Sequence, residues 1–305
     1  MSEMASAHTF MAAVVSGLVT ISLFLMKGIC TPLWNKYFLV YKIKTEHAYE
    51  QKKKIKEAIS KYKMPLLDSA ESLNHRLWNF SGNCNKGWHN FKKNELISDK
   101  YYLQTFCYRF LAFYAWCVKF ERELIYLDVT LSEKNDLYFV KYIKIMQNIF
   151  CDASMLSNTG YDNEHATDHF FKDDLISVVE GMFTPTGVIT YSDFKLKPES
   201  DYVLVSKYIS TILKNKSCNK WHLINCFHFM LMAFLSKYGY DYQRTGLFKL
   251  FKLRRLEPEN KLIINFKVLT LNARLNKCKE MKKAINILEC KSKLARCCNF
   301  LKLIK

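Results

Sequence analysis

The chain begins with one continuous apolar run, and apolar residues recur after it with helical spacing. From Phe10 to Met26 there are 17 residues without a charge, at the short end of the range of about 17–25 that an α-helix needs to cross a bilayer. The run is apolar all round, which favours a membrane span over the amphipathic helix of a soluble domain. It has neither the basic n-region nor the cleavage site of a secretory signal. We therefore predict a transmembrane helix over residues 9–26, after a short N-terminus of residues 1–8.

The distribution of charge predicts the orientation of this span. Residues 1–8 carry Glu3 and no Lys or Arg, whereas residues 27–64 carry ten lysines and three glutamates. A Lys/Arg-rich flank stays in the cytoplasm, so we expect a single-pass inner-membrane protein with its N-terminus outside and the bulk of the chain inside. Eleven irregularly spaced cysteines agree with a reducing compartment. The residues predicted to lie at the anionic inner leaflet are Lys27, Trp34, Lys36, Tyr37, Tyr41, Lys42 and Lys44.

The rest of the chain has the pattern of an all-α protein. Glycine (9) and proline (5) are scarce, and few stretches alternate as strands do. We predict a basic juxtamembrane stalk over 27–63, a helical-bundle domain over 64–260 and a basic amphipathic segment over 261–305. Pro65 is expected in the first turn of a helix over 64–80. The apolar stretches 102–118 and 221–235 are expected to be buried core helices, because the first contains Arg109 and the second is too short to span.

Several separated blocks of the chain resemble a family of uncharacterised bacterial proteins. "PLLDSAESLNHRLWNF" (65–80) and the Tyr-rich helix that ends in Arg122, Glu123 and Asp128 carry the resemblance, and "IFCDAS" (149–154) and "VITYSDF" (188–194) look like later blocks. Asn74 departs from the glutamine that is usual in that pattern. The resemblance covers about residues 9–240 and implies an N-terminally membrane-anchored helical fold. It implies no function.

Five charged residues in the predicted core admit two interpretations. They are Arg76, Arg109, Arg122, Glu123 and Asp128. A structural interpretation is a network of salt bridges and hydrogen bonds that ties two helices together. A functional interpretation is a polar ligand pocket within the bundle.

The stretch "NEHATDHFFKDD" (163–174) is the candidate metal site. His165 and His169 are spaced i, i+4, as on zinc-binding helices, and Asp173 could supply a third ligand. The helix is predicted over 165–183. The alternative is a polar helix start with two exposed histidines. No phosphate-binding loop or nucleophile motif is present, and the sequence predicts no cofactor.

These observations leave three hypotheses of function. The first is a non-catalytic protein that binds a protein partner or ligand at the inner membrane surface, for example as an effector in bacterial stress or phage defence. The second is a membrane-tethered metal-dependent hydrolase that uses His165 and His169. The third is nucleic-acid binding through residues 261–305, which hold twelve bases and two acids. The sequence predicts no oligomeric state.

Overall fold

The computed structural model describes residues 2–91, 95–161, 168–215, 217–256 and 260–289. Every regular element in these residues is a helix and none is a strand; Phe183 and Val188 form an isolated antiparallel bridge. The all-α prediction is therefore confirmed for them. The helices are α1 (Ser2–Leu25), α2 (Thr31–Asn83), α3 (Tyr101–Glu123), α4 (Lys134–Asn148), α5 (Lys172–Glu180), α6 (Tyr191–Lys195), α7 (Val203–Ser210), α8 (Asn219–Tyr238), α9 (Leu247–Leu256), α10 (Lys261–Asn272) and α11 (Lys279–Glu289).

The chain divides into two compact units, residues 1–54 and residues 55–305. The first unit contains α1, a π-helical turn over Met26–Cys30 and the beginning of α2. The N-terminal helix is long and apolar enough to cross a membrane, and no part of its most apolar 18-residue stretch is buried. The backbone N–H and the hydroxyl of Thr31 both donate to the Met26 carbonyl oxygen, the hydroxyl at 2.8 Å, where the helix changes pitch.

The second unit begins with a regular apolar stripe along α2. Ile55, Ala58, Tyr62 and Leu66 are buried at intervals of three and four residues, and Phe80 continues the stripe. The helix continues through Pro65 instead of starting there. An internal proline costs about 3 kcal/mol. Burial of a large apolar side chain contributes about 1.5–3 kcal/mol, so the stripe on both sides of Pro65 outweighs the penalty.

Helix α8 lies at the centre of the second unit. Every residue from Trp221 to Leu235 is buried, and α8 contacts α4, α9, α10 and α11. Aromatic side chains connect it to two further helices: Phe227 packs against Phe113 of α3 at 6.0 Å, and Trp221 against Phe80 of α2 at 5.9 Å. Helices α3 and α8 are therefore core helices, as the sequence predicts.

The first part of the predicted basic tail belongs to this core. Phe266 of α10 and Met281 and Ile287 of α11 are buried, and both helices contact α8. The amphipathic pattern after Lys261 thus reflects packing within the domain. Residues 290–305 of the predicted tail lie outside the described residues.

Candidate functional site

A cleft of about 400 Å³ opens between α2, α3 and the segment that precedes α6. Its apolar wall includes Pro65, Trp116 and Val188, and its polar wall includes Ser72 and Arg109. Clefts of this size that combine apolar walls with few polar groups are typical of small-molecule sites. We therefore treat this cleft as the candidate functional site.

Arg109 is the cation of the cleft. It lies on α3, and its Nη1 donates to the Ser72 carbonyl oxygen of α2 at 3.2 Å. The side chain is half-buried. Burial lowers the pKa of Arg109, and the nearby charge of Arg76 lowers it further. The guanidinium remains charged, because an arginine side chain is not deprotonated in proteins, and its free donors can bind an anion.

Arg76 places a second charge behind Arg109. Only 7% of the residue is exposed. Its guanidinium carbon lies 4.3 Å from the centre of the Tyr102 ring, and Nη2 donates to the Thr105 hydroxyl at 2.5 Å. Its Nε atom is buried without a hydrogen-bond partner among the described residues. Tyr102 and Thr105 carry no charge, so Arg76 is held by an aromatic face and a hydroxyl group instead of a carboxylate.

The two arginines have no acidic counterpart among the described residues. Across the described parts of the chain, no carboxylate lies within 4.0 Å of the guanidinium of Arg76 or Arg109. Asp68 also lines the cleft, but one of its carboxylate oxygens accepts from Gln243 Nε2 at 3.0 Å. A partly buried positive charge without a counter-ion favours an external anion.

The other three members of the predicted polar network lie elsewhere, on the surface. Arg122 pairs with Glu180, and Glu123 accepts from Lys61 Nζ at 3.0 Å and from the Tyr62 hydroxyl at 3.2 Å. Asp128 accepts from the backbone and hydroxyl of Thr130. Since α3 ends at Glu123, Asp128 has left the helix. The five residues therefore do not form one network, and of these only Arg109 lines the cleft, with Arg76 beside it.

Of the candidate metal residues, His169 lies outside any helix and Asp173 lies in the first turn of α5. His165 lies outside the described residues. His169 precedes α5, which starts at Lys172 and not at residue 165, and its Nδ1 lies 2.6 Å from the Tyr161 hydroxyl. The adjacent Phe170 is buried, and its N–H donates to the Phe150 carbonyl oxygen at 2.8 Å. The i, i+4 argument therefore does not hold for His169.

Asp173 is exposed in the first turn of α5, where a carboxylate stabilises the helix N-terminus. Within the described part of the chain, no group of three or more His, Cys, Asp or Glu side chains could hold a metal ion. The structure thus gives Asp173 a helix-terminal position.

The predicted membrane-surface residues are exposed on the first unit. Trp34, Tyr37 and Tyr41 are 72%, 75% and 69% exposed, and their spacing of three and four residues places them on one face of α2. Lys27, Lys36, Lys42 and Lys44 are also exposed, and Lys42 lies 3.9 Å from Glu46. Large exposed aromatic residues next to lysines are the composition of a membrane interface.

Sequence reasoning missed the contribution of Ser72 and Trp116 to the cleft. Asp68, Ser72 and Arg76 follow one another at intervals of four along α2, so they share one helical face. That polar row beside an apolar stripe is the signal that could have located the cleft on α2.

Comparison with protein-family models, curated proteins and solved structures found no match for this chain. The resemblance to membrane-anchored bacterial proteins therefore stays a prediction, and the functional argument rests on the geometry of the cleft.

Proposed function

We propose that the chain is a single-pass membrane protein, N-terminus outside and helical domain in the cytoplasm, whose domain binds an anionic ligand in the α2–α3 cleft. The observation that carries this proposal is the pair Arg76 and Arg109, two charges in or beside one cleft without a carboxylate partner in the described residues. The apolar helix α1 and the lysines after it support the anchor and its orientation. On this proposal the anchor holds the binding domain at the inner leaflet.

The chemistry of the cleft indicates the class of ligand. A guanidinium presents a planar fork of donors that matches carboxylate and phosphate oxygens. Trp116, Val188 and Pro65 provide an apolar wall beside Arg109. A ligand that fits both is a small molecule with one carboxylate or phosphate group on an apolar or aromatic body. Its charged group would lie at Arg109, away from the Asp68 carboxylate.

The proposal is tested with the full chain in phosphatidylcholine nanodiscs and phenyl phosphate as the probe. Isothermal titration calorimetry is expected to detect saturable binding, and Arg109→Gln to weaken it by about tenfold or more, since a charge-assisted hydrogen bond contributes about 1.5–3 kcal/mol. Arg122→Gln removes an equal charge outside the cleft and should leave the affinity unchanged. Absence of binding to the wild type, or equal loss in both variants, would contradict the proposal.

No observation among the described residues favours a second function. His169 bonds to Tyr161 outside a helix, and α10 and α11 use one face for core packing. The metal-dependent hydrolase and the nucleic-acid binding protein remain untested hypotheses.

A further inference from the structure

Helix α10 has a second apolar face that is exposed among the described residues. Its inner face buries Leu262, Phe266 and Thr270. On the outer face, Ile264, Val268 and Leu271 are 54%, 49% and 49% exposed. Their spacing of four and three residues forms a row along the helix. Three aliphatic side chains in a row are more than the scattered apolar residues of an ordinary soluble surface.

Basic residues lie at both ends of this row, and no acid accompanies them along the chain. Lys261 begins α10, and Arg274 and Lys277 follow Leu271 in the turn before α11; all three are exposed. The sequence from 261 to 279 contains no Asp or Glu. Lys267, on the flank of the helix, already pairs with Glu289 at 2.6 Å.

Helix α4 adds a third cation to the turn. The turn Leu275–Lys277 contacts α4. Burial lowers the pKa of Lys141 on that helix, and the nearby charges of Arg274 and Lys277 lower it further. No carboxylate among the described residues lies within ion-pair distance of Lys141, Arg274 or Lys277. Three like charges thus stand together uncompensated.

Arg274 occupies a backbone conformation that suits glycine. Its φ is +57°, and its N–H donates to the Leu271 carbonyl oxygen at 2.8 Å to close α10. A non-glycine residue in the left-handed region is strained, because its Cβ comes too close to the backbone. Glycine or asparagine usually ends a helix this way. An arginine at this position maintains a positive charge at the end of the apolar row at a cost in backbone strain.

From this arrangement we propose that the outer face of α10, with Lys141, Arg274 and Lys277, binds the surface of an anionic phospholipid bilayer. The aliphatic row would enter the acyl boundary while the cations meet lipid phosphates. A nucleic acid would satisfy the same cations but offers nothing for three exposed aliphatic side chains. This surface is separate from the cleft and adds a second membrane contact to the anchor.

The experiment places the photocrosslinking residue p-benzoylphenylalanine at Val268 in the full chain, in nanodiscs of phosphatidylcholine alone or mixed with phosphatidylglycerol. Mass spectrometry is expected to find lipid adducts at this site chiefly in the anionic discs. The same probe at Leu196, which is 86% exposed on another segment, should give few adducts. Equal adducts at both sites, or none at Val268 in anionic discs, would overturn the proposal, as would crosslinks to added duplex DNA in their place.

Substitutions of single basic residues test whether the charge, and not the stability of the fold, determines lipid binding. Arg274→Gly removes a cation and also relieves the left-handed backbone strain, so the variant should be at least as heat-stable as the parent. Its lipid adducts should fall about fivefold, the effect of one basic residue at an anionic surface. Lys195→Gln, an exposed lysine on α6, should leave them unchanged. Adduct formation that is insensitive to Arg274→Gly and Lys277→Gln together would refute the role of the cations.

Discussion

His228 Nε2 lies 2.9 Å from Asn74 Oδ1 inside the core, between α8 and α2. Because an amide oxygen only accepts, Nε2 carries the proton and donates. The Trp78 ring packs against the imidazole in a T-shaped arrangement, with 5.0 Å between the ring centroids. Burial, and then the charge of Lys249, lower the pKa of His228 from 6.5 to about 3. The folded protein therefore holds this histidine neutral.

The neutral histidine predicts a loss of stability in acid. The unfolded chain takes up this proton near pH 6.5, whereas the folded chain takes it up only near pH 3. Stability is thus fully present above the unfolded pKa and falls as the pH drops through this window, by about 1.4 kcal/mol per pH unit for one group. His228→Gln should remove that slope while its amide can still donate to Asn74.

Chemical denaturation followed by circular dichroism at pH 7 and pH 5 measures the difference. His75→Gln is the matched control, because the His75 side chain is 65% exposed, and it should retain the wild-type slope. Identical slopes in His228→Gln and the wild type would show that His228 is not held neutral.

Replacing Arg76 should separate stability from binding. Arg76→Met keeps an unbranched but shorter side chain and removes a buried charge and its repulsion with Arg109. The Thr105 hydroxyl still donates to the Tyr101 carbonyl oxygen at 2.7 Å, so no donor becomes unsatisfied. We expect the free energy of unfolding to rise by about 1 kcal/mol and phenyl phosphate to bind more weakly. Arg255→Met, at an exposed site, should change neither; a destabilised Arg76→Met protein would argue against an uncompensated charge.

Two glycines should respond in opposite directions to substitution by alanine. A Cβ at Gly239 would lie 2.5 Å from the Leu235 carbonyl oxygen, which already accepts from the Gly239 N–H at the end of α8. Gly239→Ala is therefore expected to destabilise the fold by about 1–3 kcal/mol. Gly82 lies in α2 with nothing within 4 Å of its added Cβ. Gly82→Ala should stabilise by about 0.5–1 kcal/mol. Thermal unfolding of both variants tests the pair, and an unchanged Tm for Gly239→Ala would disprove the steric argument.

The helices of the core were predictable because their periodicity and their packing agree. The buried positions Ile55, Ala58 and Tyr62 keep the spacing of an amphipathic helix, and the apolar runs of α3 and α8 are buried as expected. The continuity of α2 through Pro65 was not predictable. The local cost of proline is visible in the sequence, but the tertiary packing that offsets it is not.

The cleft was only partly predictable for a related reason. Arg109 bonds to the main-chain oxygen of Ser72, and a backbone acceptor leaves no signature in the residue type. Arg122, Glu123 and Asp128 are near one another in sequence, but they lie at and beyond the exposed end of α3, where each finds a separate partner. The sequence shows which side chains are charged. Whether each one is buried, and with which residue it pairs, depends on the fold.

The proposed orientation can be inverted by moving charge across α1. Lysines within about 15–20 residues of a span hold that flank in the cytoplasm, and Lys27, Lys36, Lys42 and Lys44 all lie within that distance of Met26. Replacing these four by Gln, together with Ser2→Lys and Ser6→Lys, should increase the fraction of molecules whose C-terminus faces outward. Protease digestion of a C-terminal epitope in intact spheroplasts measures that fraction.

A matched variant tests whether the orientation depends on the position of the lysines or on the net charge of the chain. It combines Ser2→Lys and Ser6→Lys with replacement by Gln of four exposed lysines of the helical domain: Lys134, Lys172, Lys195 and Lys207. Its net charge equals that of the first variant, but its juxtamembrane lysines are intact, so its epitope should stay protected far more often. Exposure of the epitope in the wild type would show that the N-out orientation is wrong. Equal exposure in both variants would show that the lysines beside α1 do not hold the domain inside.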